Sequence, residues 1–81
     1  MAEETVRRSD EELARILDTR EDWAVCEEDG SVLGYGGSLK RALELFKIFR
    51  LAGATVGSIV REGPARVVVD AAQIARLMTH I

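Results

Sequence analysis

Two pairs of short strand-like segments, each joined by a glycine-containing turn, flank one long amphipathic segment from Ser38 to about Ala52. This order is the strongest constraint on the fold, because a hairpin, a crossing helix and a second hairpin have few ways to share one core. The first pair is Trp23-Ala-Val-Cys-Glu-Glu and Ser31-Val-Leu-Gly-Tyr35, joined at Asp29-Gly30. An Asp-Gly pair predicts a two-residue type I′ turn, since both central residues need positive φ. That loop sets the register. Trp23 and Val25 then share a face with Val32, Gly34 and Gly36, while Ala24 and Cys26 share the other with Leu33 and Tyr35. Both faces are apolar, and the opposed glycines leave room for a large ring, so the Trp23 and Val25 face is expected against the helix.

Gly36-Gly37 ends that hairpin, and Ser38 is placed to cap a helix over Leu39 to Ala52, with Gly53 as its stop. At about 100° per residue, Leu39, Ala42, Leu43, Leu45, Phe46, Phe49 and Ala52 fill one arc, the expected core face. Thr55 to Arg61 and Arg66 to Val69 read as the second pair of strands. Proline cannot take positive φ, so Gly63-Pro64 predicts a loop of about four residues rather than a tight primed turn. Ser9-Asp10-Glu11-Glu12 and Asp70-Ala71-Ala72-Gln73 have capping-box spacing, and each opens a short terminal helix. The first runs to about Arg20 with Leu13, Ile16 and Leu17 on one stripe. The last carries Ile74, Leu77, Met78 and Ile81. Docking of these helices on the sheet and docking on another subunit are both compatible with the pattern.

The expected architecture is α+β in the order α-β-β-α-β-β-α. Residues 1–8 form a polar flexible tail, and residues 9–81 form a single small domain. Its four strands make one mainly antiparallel sheet, with the central helix packed on one face and short helices at the ends. From Trp23 to Val69 the chain resembles a group of small bacterial domains built as hairpin, helix, hairpin. The shared marks are Trp23-x-Val25, Asp29-Gly30, Ala42 in the long helix and the closing pair of short strands. The chain departs from that pattern at Gly63-Pro64, where an Asp-Gly type of turn would be expected, and by its two capped terminal helices. The resemblance implies a fold and carries no functional residues, because these domains have no assigned activity.

An 81-residue chain buries only about 60% of the surface its unfolded form exposes, so support from a partner subunit is a real consideration. Cys26 is the only cysteine, which excludes an intrachain disulfide, and one cysteine with one histidine, His80, does not make a four-ligand zinc site. No cofactor motif is present. The residues after Met1 carry charges without a following apolar run, and nothing approaches the ~20 apolar residues of a membrane span, so a cytoplasmic location is expected. The formal charge of −3 argues against a dedicated nucleic-acid binder.

Each candidate site also has a plain structural role. Glu27-Glu28-Asp29 is the densest acidic run, but strand alternation beside a turn makes it a solvated cluster before it makes a catalytic pair. Cys26 reads as a buried thiol. Gly34-x-Gly36-Gly37 sits where phosphate loops sit, yet it lacks the spacing of a dinucleotide fingerprint and any following Gly-Lys-Ser/Thr. Lys40, Arg41 and Lys47 form the best basic patch, which Arg7, Arg8, Arg61 or Arg66 could extend. Ile48 and Leu51 fall on this same polar arc, one turn apart, where either a terminal helix or a partner could cover them. Arg50 falls inside the apolar arc near the helix end, where it can snorkel. The expected function is a non-enzymatic protein-interaction module, self-associating through Ile48, Leu51, Ile74, Leu77 and Met78. The alternative is a weak, salt-sensitive nucleic-acid-binding accessory protein acting through Lys40, Arg41 and Lys47.

Overall fold

The computed structural model describes residues 5–63 and 65–80; the expectations placed on residues 1–4, Pro64 and Ile81 lie outside the described residues. Ser9 caps the first helix, α1 (Asp10–Arg15), by accepting from the Glu12 N–H at 3.2 Å. The Glu12 carboxylate takes the Ser9 hydroxyl rather than the Ser9 amide, so the box closes through side chains. α1 ends earlier than the sequence predicts. The Ile16 N–H turns back to the Leu13 carbonyl, and the first long strand, β2 (Arg20–Glu27), already begins at Arg20. It is preceded by a two-residue strand, β1 (Thr5–Val6), and followed by β3 (Val32–Ser38). α2 (Leu39–Leu51) comes next, then β4 (Val56–Arg61), β5 (Arg66–Asp70), α3 (Ala71–Leu77) and a single 3-10 turn over Met78–His80.

The sheet order is β1-β5-β4-β2-β3. β2, β3, β4 and β5 pair antiparallel, as expected for two hairpins, with β2 beside β4 at the centre. The α+β class therefore holds, but the sheet has five strands and is mixed. The fifth comes from the segment expected to be a tail: Thr5 and Val6 pair parallel with Arg66 and Val67. Val6 is half-buried against the core, and the Gln73 side-chain amide donates to the Arg8 carbonyl at 2.7 Å and to Asp10 Oδ1 at 3.0 Å. Two strand residues amid charges give no alternation to detect in the sequence, whereas the tie to α3 holds them in place.

The first hairpin departs from the predicted turn. Asp29 does not take positive φ; only Gly30 does, at +94°. The Gly30 N–H donates to the Glu27 carbonyl at 2.9 Å, and the Glu27 N–H to the Ser31 carbonyl at 2.8 Å, a three-residue loop with glycine in the left-handed position. The extra residue is absorbed by a shift that pairs Val32 with Cys26 and leaves Val32 half exposed, away from the Trp23 face. Beyond it the expected pairs hold: Val25 with Gly34, Ala24 with Tyr35, and Trp23 with Gly36.

Trp23 and Val25 face the helices, as the opposed glycines suggested. They join Leu13, Leu39, Ala42, Leu43, Phe46, Ile59, Val67, Val69, Ile74 and Leu77 in one buried cluster, so all three helices lie on the same side of the sheet. Ser38 caps α2 through the Arg41 N–H, and Gly53 at φ +97° stops it. Arg50 is exposed, its guanidinium 6.0 Å from the Phe46 ring centre. No described helix is long and apolar enough to cross a membrane.

Asp70 ends β5 and caps α3, with Oδ1 accepting from the Gln73 N–H at 2.9 Å and Oδ2 from Arg7 at 2.7 Å. The Gln73 amide first, and Arg7 second, hold this carboxyl below its ordinary value. Asp70→Ala is expected to lower stability by about 1 kcal/mol in urea titrations near neutral pH, most of it from the lost cap. Because the folded value is depressed, the stabilisation is complete above the unfolded carboxylate value near ~4 and is lost as pH falls through the folded one. The gap between wild type and variant should close on acidification in that window.

Candidate functional site

α2 turns Leu39, Ala42, Leu43 and Phe46 inward and leaves its outer arc to solvent. On that arc Ile48 is 51% and Leu51 76% exposed. Neither terminal helix covers them. Instead the half-buried Met78, at the end of α3, approaches from the side, and the three apolar side chains share a shallow groove with Arg41, Glu44, Lys47 and Arg50. Of the five residues expected to meet a partner, the structure thus gathers Ile48, Leu51 and Met78. It corrects the other two: Ile74 and Leu77 are fully buried in this chain's own core, because the apolar stripe of α3 is taken up against the sheet and α1.

The expected basic patch is broken up by carboxylates. Lys40, Arg41 and Lys47 are all exposed, but Arg41 lies 3.8 Å from Glu44, which also lines the groove with Lys47. The residues that could have extended the patch each sit beside an acid: Arg7 with Asp70, Arg8 with Glu12, Arg61 with Glu21 and Arg66 with Glu62. The surface charge near α2 is therefore mixed in sign.

The remaining candidates take structural positions. Asp29 is exposed in the turn, where its Oδ1 accepts from the Ser31 N–H at 2.8 Å, and that bond holds its carboxyl below the usual range. Among the described residues no group of three or more His, Cys, Asp or Glu side chains could hold a metal ion. Cys26 is buried with Ala24 and Val60 on the sheet face away from the helices, and burial pushes its thiol up, with Arg66 opposing. In the glycine run, Gly34 and Gly36 are places where α2 touches β3: a Cβ on Gly34 would meet the Phe49 ring at 3.3 Å, and one on Gly36 the Ala42 nitrogen at 2.5 Å.

Two further regions were not singled out by the sequence as places for a partner. The sheet face opposite the helices carries Ala24, Cys26, Val60 and Val68, with Tyr35 beside them at 64% exposure. β3 is also the last strand of the sheet, so one of its sides pairs with no described strand. The alternation of Leu33 and Tyr35 hinted at the first. The second depends on β2 rather than β3 meeting β4, which no local pattern encodes.

No protein-family model, curated protein or solved structure matches this chain.

Proposed function

We propose that this chain is a non-enzymatic protein-interaction module that associates with a second copy of itself through the exposed apolar residues of α2. The observation that carries this reading is the pairing of Ile48 and Leu51, half and three-quarters exposed, next to Met78 in one groove. Fully burying a side chain of this size stabilises by roughly 1.5–3 kcal/mol, although only the surplus over the entropy of association appears as affinity. The rim suits a twofold contact, since Glu44 of one copy can meet Lys47 or Arg50 of the other. Leu51→Lys is expected to weaken association by roughly 10-fold or more, read as a drop in weight-average mass at fixed concentration, with circular dichroism unchanged. An unaltered mass would remove the groove from the interface.

A weak, salt-sensitive nucleic-acid contact through Lys40, Arg41 and Lys47 is the competing reading. It draws less support, because Glu44 sits beside Arg41 on the same helix face, and Arg7 and Arg61, which could have extended the patch, each sit beside an acid.

A further inference from the structure

We infer that the free edge of β3 is a second association surface, which takes another copy of this chain by antiparallel strand pairing about a twofold axis at Tyr35. An edge strand presents a row of unpaired backbone N–H and C=O groups, and folded proteins ordinarily guard such a row with lysine, proline or a very short strand. Among the described residues the strand at the opposite edge, β1, has only two. β3 has seven, Val-Leu-Gly-Tyr-Gly-Gly-Ser, without a charge or a proline among them.

The occupant follows from charge and symmetry. The acidic turn at Glu28 and Asp29 precedes β3, and Lys40 and Arg41 follow it at the start of α2. Antiparallel pairing sets the acidic end of one copy beside the basic end of the other, whereas parallel pairing would set like beside like. A twofold axis generates the antiparallel arrangement from two identical strands. A register centred on the stretch that follows the shift at Leu33 puts Tyr35 opposite its own copy and Gly34 opposite Gly36. Tyr35 points to the face without helices, so the two rings meet on open surface. On the other face, the Phe49 ring lies over Gly34 and is half-buried, so the incoming copy would cover it further. No residue of β3 lines the groove at Met78, so the two contacts can be separated by mutation.

The experiment is sedimentation equilibrium in a Leu51→Lys background, at concentrations where the weakened helix groove no longer holds two copies together. Leu51→Lys alone should still form dimers. Adding Tyr35→Lys places two like charges at the axis and should weaken the dimer by roughly 100-fold. Mixing it with the Tyr35→Glu counterpart should restore a heterodimer, which misfolding cannot mimic. Amide exchange in β3 should also slow as concentration rises. A monomeric Leu51→Lys protein would overturn the edge contact while leaving the groove standing. An unchanged dimer after Tyr35→Lys, or a folded Lys and Glu mixture that stays monomeric, would overturn it as well.

Discussion

Trp23→Ala should remove about 3–5 kcal/mol of stability, the range for deleting a large aromatic side chain from a core. The ring is fully buried on β2, a strand paired on both sides, with Gly36 opposite it and the Arg61 guanidinium 5.7 Å from its centre. Its indole N–H has no hydrogen-bond partner among the described residues. What holds it is therefore packing, and what Trp23→Ala leaves is a cavity beneath three helices. A chain of this length has a net stability of roughly 4–12 kcal/mol, so the variant should be marginal or unfolded at 25 °C. Urea denaturation followed by far-UV circular dichroism measures the loss. Trp23→Phe should cost less than Trp23→Ala, because it keeps a ring and removes no satisfied polar group. A loss below about 1 kcal/mol for Trp23→Ala would mean that this ring does not organise the core.

Gly36→Ala should be the second most damaging single change. A Cβ there would stand 2.5 Å from the Ala42 nitrogen and 2.9 Å from its Cα, both backbone atoms of α2 with no flexible side chain to move aside. The helix must shift away from β3, and overpacking of this kind costs about 1–3 kcal/mol or more. Gly37 is the matched control. Its Cβ would meet nothing within 4 Å, and its φ is not positive, so Gly37→Ala should be neutral or slightly stabilising. Equal effects at the two glycines, read in the same urea titrations, would contradict the close approach of α2 to the edge strand.

The contrast between these neighbouring glycines shows where sequence reading succeeds and where it stops. Local signals placed α2 to within a residue or two, because Ser38, the apolar arc and Gly53 all act within a few turns of chain. They also placed the Trp23 face, because pleat alternation and the opposed glycines are properties of one hairpin. They failed where distant segments decide. Thr5 and Val6 become a strand only because β5 offers an edge and Gln73 ties down the following carbonyl. Asp29-Gly30 favoured a primed turn, but the chain uses a three-residue loop with Gly30 alone at positive φ, and the extra residue moves Val32 out of the face expected for it.

The candidate site divides in the same way. Ile48 and Leu51 were readable as a pair on the wrong arc of an amphipathic helix, and the structure leaves them uncovered. Ile74 and Leu77 looked equally available, yet tertiary packing consumes them, and no periodicity distinguishes an apolar stripe that meets its own sheet from one that meets a partner. The free edge of β3 was invisible for a related reason: strand order across the α2 crossover is set by the whole core.

The most direct measurement is sedimentation equilibrium of the wild-type chain over a wide dilution range. Self-association predicts a weight-average mass that climbs from the 8.9 kDa of a monomer toward twice that value or beyond as concentration rises. A mass fixed at 8.9 kDa at every concentration would contradict it.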